Sequence, residues 1–301
     1  ISSPNLKDNL QGIYVKTNWV VKILIDMTSN NITSNEDLQV ISKIETGSYT
    51  MDHMSRVLLE FISFCRFYND YIDDGKYKKI RVEFSEKYEI FYKKKLGLST
   101  ITTEVVFQNG LRRIDTAEEL PLFGVGALLY DIGKVIDINY HDGDAEFEKN
   151  IVHKHVLNGY NMIIKSKFYP FAIALMAAFH HEYYGNKDSY NFTNALLSKY
   201  THKKLSEDKV RYFISYDENN FINREALSFF PCKMLEILDV YDALVFKRQK
   251  DTIEALKIMK KEFIAKQLKI DPVLFRIFLE YKLSCGYITQ DQLTIIDSIK
   301  F

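Results

Sequence analysis

The sequence has few cysteines, few turn-forming residues and no net charge, and each scarcity argues against a class of protein. Its three cysteines (Cys65, Cys232 and Cys285) are isolated in 301 residues, which argues against a disulfide framework and predicts a reducing, cytoplasmic location. Twelve glycines and five prolines are few for this length and favour long helices over a turn-rich β-sandwich. Because 40 basic and 40 acidic side chains cancel, no global field attracts DNA or an anionic membrane.

Long hydrophobic runs are also missing. No stretch of about 18 apolar residues occurs, so we expect no membrane span in this chain. The chain begins at Ile1 without a charged and then apolar signal sequence, which is compatible with a piece of a longer protein that carries a preceding sensor segment. The sequence is nevertheless 47% hydrophobic, which is ample for a core and excludes a disordered or fibrous chain.

Apolar residues recur at helical spacing along most of the chain. In the stretch 51–71 they fall on one side of the predicted helix. The other stretches with helical patterns are 14–28, 36–43, 122–135, 147–164, 170–183 and 226–248. We therefore predict an all-α fold, with an N-terminal helical segment or linker over 1–44 and the main domain over 45–301.

The stretch from about 75 to 115 differs from the rest. Ile80, Val82 and Phe84 alternate with charged residues, and β-branched residues precede an Asn109-Gly110 turn signal. This pattern predicts a small β-containing insertion in the helical fold. Its basic residues either contact a partner or an anionic ligand, or form a solvated face of a lysine-rich protein. They are Lys78, Lys79, Arg81, Lys93, Lys94, Lys95, Arg112 and Arg113.

Several helical segments carry a histidine or an aspartate beside another polar or small residue. Lys134 follows Asp131 by three positions, so both lie on one helix face, and Gly159 follows His155 by four, which allows another helix to approach. A helical bundle builds a di-metal site from imidazole and carboxylate ligands on several helices. A single histidine on an apolar helix is more often a packed core residue, so the set matters more than any member. The set comprises His53, Asp131, His155, His180, His181 and Asp239.

The motifs around these residues resemble those of one family. YTMDHMSRV is similar to the YTxxHxxRV opening of HD-GYP domains, which are cyclic di-GMP phosphodiesterases of the HD phosphohydrolase superfamily. LLYDIGKV resembles their LLHDIGKI, KHVLNGYNMI their HPxxGxxIL, AFHHEYYG their HHExxDG, and LDVYDALVFKR their ADVFDALTSxR. The resemblance runs from about Glu45 to about Leu279 and implies an HD-domain helical bundle.

The resemblance also implies roles for individual residues. It makes Asp131 a bridging ligand of two metals, with His155, His180 and His181 completing one site. It places His53 and Asp239 at the other site, Lys134 against a substrate phosphate, and Arg248 against the nucleotide. Two adjacent cations lower the pKa of a bridging water and clamp both oxygens of an in-line displacement. One or two divalent ions, Fe or Mn, suit these mixed nitrogen and oxygen ligands.

The sequence departs from the family in two motifs. Tyr130 stands where the family has the histidine of its HD pair, and a phenol, neutral below about pH 10, is a poor ligand for a divalent ion. The Gly-Tyr-Pro motif is missing, although Tyr184 and Tyr190, together with Tyr183, are candidates for stacking on a base. Another HD dipeptide, His141-Asp142, lies in a predicted loop, and we interpret it as unrelated to the site.

Three hypotheses follow from this pattern. The first is a phosphodiesterase with a modified metal centre that hydrolyses cyclic di-GMP or a related phosphodiester, with Asp131 and Lys134 as catalytic residues. The second is a degenerate member that binds a nucleotide or a signalling protein and serves as receptor or scaffold. The third is another chemistry on the same scaffold, such as a nucleotide phosphomonoesterase or a di-iron oxygenase.

Overall fold

The computed structural model describes residues 4–29, 49–95, 103–107, 110–136, 154–182, 192 and 230–300. Within these ranges the secondary structure is helical, which confirms the all-α prediction. The α-helices are α1 (Pro4–Ser29), α2 (Tyr49–Asp73), α3 (Tyr77–Glu83), α4 (Thr103–Val106), α5 (Glu119–Leu129), α6 (His155–Ser166), α7 (Phe171–Phe179), α8 (Phe230–Asp242), α9 (Thr252–Ile258), α10 (Pro272–Ser284) and α11 (Gln290–Asp297). Shorter helical turns are the 3₁₀ turn Ile132–Ile136 and the π turns Phe84–Tyr88, Phe91–Lys95, Ala243–Lys247 and Met259–Ile264.

The chain forms two compact units. The first comprises Ile1–Ser63, Asp115–His181 and Tyr190–Thr201, and the second comprises Phe64–Ile114, Glu182–Ser189 and His202–Phe301. The boundary predicted at residue 44 lies outside the described residues, as does the helix predicted over 36–43.

In the first unit, α7 is the central element of the core. Its sequence FAIALMAAF is apolar on every side, and a helix of that kind is stable only when other elements surround it. It packs against α5 and α6, and α5 also packs against α1. The residues from Ile173 to Phe179 are all at most 3% exposed. This core holds the ends of α5, α6 and α7 close together.

Helix α2 confirms the one-sided pattern expected for residues 51–71. Its apolar residues at helical spacing are buried, including Met54, Val57 and Phe61 at 2%, 1% and 0% exposure. The helix begins in the first unit and ends in the second, because the division falls between Ser63 and Phe64.

In the second unit, α8 packs against α10, and α10 and α9 pack against α11. Helix α10 begins at Pro272, and the carboxylate of the preceding Asp271 accepts hydrogen bonds from the backbone N–H groups of Val273 and Leu274. The Tyr92 hydroxyl donates to the other oxygen of Asp271 at 2.6 Å, which ties the second π turn to this helix start.

The strand predicted at Ile80, Val82 and Phe84 is wrong, because Tyr77–Glu83 is an α-helix that continues into a π turn. Ile80 is 2% exposed and Val82 is 79% exposed, so burial here follows a helical face rather than strand alternation. In the described parts of the insertion, Phe107 makes an isolated bridge and no strand forms. Gly110 does lie in a turn, with φ +70° and its N–H donating to the Phe107 carbonyl.

No helix in the described ranges is both long enough and apolar enough to cross a membrane.

Candidate metal centre

The cluster in the first unit depends on a close backbone contact after α5. The chain leaves α5 at Tyr130, and Gly133 then packs directly against the start of α6. A Cβ at Gly133 would overlap the carbonyl oxygen of His155, so only glycine fits at this position. A Cβ at Gly159 would make ordinary contacts of 3.4 to 3.6 Å. The close approach expected at Gly159 is therefore present. However, the residue that must lack a side chain for it is Gly133, not Gly159.

Three ligand-type atoms converge at this contact. Asp131 Oδ1 lies 3.2 Å from His155 Nε2 and 3.5 Å from His180 Nε2, and the two imidazole nitrogens lie 3.0 Å apart. All three residues have 0% exposure. With metal–ligand distances of about 2.1 Å, neighbouring ligand atoms lie about 3.0 Å apart in an octahedron and about 3.4 Å apart in a tetrahedron. The observed triangle therefore has the edge lengths of a coordination sphere.

The carboxylate oxygen in this triangle is an orphaned buried atom. Among the described residues, Asp131 Oδ1 accepts no hydrogen bond of good geometry. Its 3.5 Å separation from His180 Nε2 is too long for a strong hydrogen bond, and we regard this contact as electrostatic. A buried oxygen without a donor is costly and calls for an explanation, such as a bound ion. The donor set thus fits a divalent metal.

Two of the histidines have contacts or burial that bear on metal binding. His180 Nδ1 lies 3.0 Å from the Ala177 carbonyl oxygen, which can only accept, so Nδ1 carries the proton and Nε2 presents its lone pair to the triangle. Burial, together with the neighbouring His180 and His155, lowers the pKa of His181 well below its usual value. One nitrogen from each of His155, His180 and His181 lies within 4.8 Å of the others. Three imidazole nitrogens are therefore close enough together to bind one ion.

Asp131 is held in its anionic form. Burial favours the neutral carboxyl, but the Lys134 ammonium beside it outweighs that effect and holds the pKa of Asp131 well below its usual range. Lys134 Nζ donates to Asp131 Oδ2 at 2.5 Å, and the Lys134 side chain is 18% exposed while that of Asp131 is 0% exposed. Lys134 is thus the more exposed member of this pair.

Tyr130, at the position of the missing histidine, contacts another member of the set. Its hydroxyl lies 2.7 Å from His53 Nε2, and the same nitrogen lies 3.9 Å from Asp131 Oδ2. Tyr130 is 0% exposed and His53 is 5% exposed, so water does not compete for this hydrogen bond. The ring of Tyr49 stacks on the imidazole of His53, with centroids 5.7 Å apart. The imidazole of His53 is therefore already engaged by the phenol.

The remaining predicted site residues belong to the second unit or lie outside the described residues. Asp239 lies in α8 and Arg248 follows the π turn Ala243–Lys247, both in the second unit, and Arg248 is exposed. Their roles as ligand and nucleotide contact stay predictions. Tyr184 and Tyr190 lie outside the described residues, as does the dipeptide that we interpreted as unrelated to the site.

Two buried polar contacts, one in each unit, were not predicted from the sequence. One is the Ala177 carbonyl, which sets the tautomer of His180 and leaves no signal in the sequence because any residue supplies a carbonyl. The other, in the second unit, is the buried ion pair of Lys233 and Glu236, in which Lys233 Nζ also donates to the Glu182 carbonyl at 2.9 Å. Opposite charges three positions apart in an apolar helix are a signal that could have found this pair.

Comparisons with protein-family models, with curated proteins and with solved structures find no match to this chain.

Proposed function

We propose that the chain is a metal-dependent phosphodiesterase of the HD-GYP type, acting on cyclic di-GMP or a related phosphodiester. The observation that carries the proposal is the convergence of Asp131 Oδ1, His155 Nε2 and His180 Nε2 within 3.0 to 3.5 Å of one another. His181, neutral and close by, completes a set of one carboxylate and three imidazoles. The motif resemblance supplies the reaction class.

A divalent ion such as Fe or Mn, when bound, would lower the pKa of a water and polarise a phosphoryl oxygen. Asp131, His155, His180 and His181 would hold it. Asp131 carries a full negative charge in a buried site, which compensates the charge of a cation. Lys134, the more exposed member of its ion pair, would bind a phosphate oxygen as a positive point charge.

One observation favours a second candidate, the degenerate receptor or scaffold for a nucleotide or a signalling protein. The hydrogen bond between Tyr130 and His53 engages the imidazole that the resemblance assigns to the second metal. A metal there would have to replace a buried hydrogen bond whose loss costs about 1–3 kcal/mol. This candidate predicts a single ion and tight nucleotide binding without turnover.

The first test is the metal content per chain of anaerobically purified protein, measured by elemental analysis on the wild type and on His155→Ala and His181→Ala. We expect about one to two ions in the wild type and less than about half of that in each variant, since each loses one of the four ligands. His141→Ala is the matched control, because it removes a histidine from the predicted loop, and its metal content should equal that of the wild type. Unchanged metal in both site variants would overturn the metal centre.

The second test assays the same samples for turnover of cyclic di-GMP. Hydrolysis to a linear dinucleotide or mononucleotide that disappears in His155→Ala and falls about a hundredfold in Lys134→Ala supports the phosphodiesterase. Bound metal together with nucleotide binding and no hydrolysis supports the receptor. The two assays thus separate failure of the metal centre from failure of the proposed reaction.

A further inference from the structure

The second unit contains a cavity of about 710 Å³ that none of the functions considered above uses. Its lining comes from the segment 79–90, from Lys260, from Arg276 and from the segment 290–300, all of which belong to that unit. The volume falls within the range of about 300–1,000 Å³ that small-molecule sites occupy.

The lining of this cavity carries an excess of positive charge. Among the described residues, five basic and two acidic ones line it, namely Lys79, Lys87, Lys260, Arg276 and Lys300 against Glu86 and Asp297. Two further carboxylates pair with lining residues, Glu83 with Lys87 and Glu280 with Arg276. The balance of 5 − 4 still leaves one positive charge. An anion therefore complements the cavity.

Two of the cations lie near one carboxylate, and a third interacts with it electrostatically. Asp297 Oδ2 lies 3.8 Å from Lys87 Nζ and 3.7 Å from Arg276 Nε. Both distances exceed the roughly 2.7–2.9 Å of a charge-assisted hydrogen bond, so Asp297 neutralises these cations only in part. The ammonium of Lys260 is within electrostatic reach of all three groups, and Lys260 is 3% exposed.

Arg276 adds a buried donor. Its Nη2 donates to Glu280 at 2.8 Å, whereas its Nη1 is buried and has no hydrogen-bond partner in the part of the chain that the structure describes. Because this nitrogen has almost no accessible surface, an acceptor on a ligand would pair with it only after a side-chain movement uncovers it. The lining also includes the apolar side chains Ile90, Leu293 and Ile299, which suit an organic body rather than a bare inorganic ion.

We propose that this cavity binds a phosphorylated organic molecule of about nucleotide size, with its phosphate against Lys260 and Arg276. A phosphate offers three terminal oxygens and up to two charges, which matches several converging cations better than the two oxygens and single charge of a carboxylate. Lys79, from the insertion, then contacts an anionic ligand, one of the two roles that its sequence allows.

Isothermal titration of the full chain tests this site. The probes are adenosine monophosphate and guanosine monophosphate, with the two nucleosides and inorganic phosphate as comparisons. We expect at least one nucleotide to bind, and the nucleosides and inorganic phosphate to bind at least about tenfold more weakly, since each lacks one half of the ligand. Failure of both nucleotides to bind, or equal binding of a nucleoside or of inorganic phosphate, would overturn the proposal.

Variants locate the binding. Lys260→Met and Arg276→Gln should each weaken nucleotide binding by at least about tenfold, the worth of a charge-assisted hydrogen bond. Lys261→Met is the matched control, because it makes the same change at the next residue, which is exposed and does not line the cavity. It should bind like the wild type, and circular dichroism checks that every variant is folded.

A further variant distinguishes nucleotide binding in the cavity from binding at the candidate metal centre. His181→Ala should leave this binding unchanged, because it lies outside the cavity lining. Binding that disappears in His181→Ala and persists in Lys260→Met would place the phosphate at the metal centre and overturn the cavity proposal. The proposed phosphodiesterase can fail without affecting this result.

Discussion

The contact between Gly133 and the start of α6 gives a sharp test of how the fold positions the metal centre. We consider Gly133→Ala. An added Cβ would overlap the carbonyl oxygen of His155 and lie 2.8 Å from its carbonyl carbon and 2.7 Å from the backbone nitrogen of Gly159. Unstrained carbon contacts are about 3.5–4.0 Å, and all three atoms belong to the backbone, so no rotamer change can relieve the overlap. Either α6 or the turn after α5 must move by about 1 Å.

The loss of unfolding free energy follows from this displacement. Overpacking of a well-packed interior costs about 1–3 kcal/mol and occasionally more, and a backbone overlap belongs at the upper end. We expect Gly133→Ala to lose about 3 kcal/mol of unfolding free energy, which lowers Tm by about 6 °C or more. Because α6 begins with His155, the same movement separates that imidazole from Asp131, and metal content should fall below about half.

Gly159→Ala is the control, since it adds the same methyl group on the other side of the same contact. Its Cβ would meet Gly133 N at 3.4 Å and Ala177 Cβ at 3.5 Å, which are ordinary distances. Alanine also gains about 1 kcal/mol in helix propensity over glycine, so this variant should be as stable as the wild type or slightly more stable. Thermal unfolding and elemental analysis measure both variants. Equal Tm and metal content for Gly133→Ala and the wild type, or equal damage from both substitutions, would refute this reasoning.

Three other predictions concern separate features. Tyr130→His replaces the phenol that engages His53 with an imidazole, and we expect elemental analysis to find about one more ion per chain; an unchanged content would show that this phenol does not limit metal binding. Burial raises the pKa of the Cys65 thiol well above its usual value, so a thiol reagent at about pH 8 should modify the partly exposed Cys285 first and Cys65 only on unfolding; rapid loss of the Cys65 thiol would contradict its burial. Burial lowers the pKa of Lys260 from 10.5 to about 8, so the unfolded state binds more protons between these values and stability rises with pH across this interval. Lys260→Met should remove that rise and be about 2–3 kcal/mol more stable at neutral pH, and parallel urea-unfolding profiles for variant and wild type from about pH 7 to 10 would contradict this.

The helices were predictable because their signal is local. The apolar stripe of α2 and the uniformly apolar α7 are visible in short stretches, and both are buried as expected. The same local reading failed at Ile80, Val82 and Phe84, where alternation over five residues also fits a helix with one buried position. Short patterns of this kind do not distinguish the two-residue period of a strand from the 3.6-residue period of a helix, and here the segment forms a helix.

The candidate site was also predictable only in part. The sequence supplied the residue types and their order, because histidines and an aspartate on separate helices form a pattern whatever their contacts. It could not show that Asp131 Oδ1 meets His155 and His180, or that Tyr130 binds His53 across 77 positions, since these contacts require the helices to be packed. The role of Gly133 was equally hidden, because a backbone overlap exists only once α6 is in place.

The all-α class, with histidine and aspartate side chains on several of its helices, was predictable from the sequence because helix periodicity acts over three or four residues. The packing of the helices settles which candidate ligand atoms converge, which tautomer His180 presents, and that cations from segments up to 221 positions apart, at Lys79 and Lys300, line one cavity. The physical reason is that distances between side chains on different helices depend on how the helices pack, and that packing is a property of the whole unit.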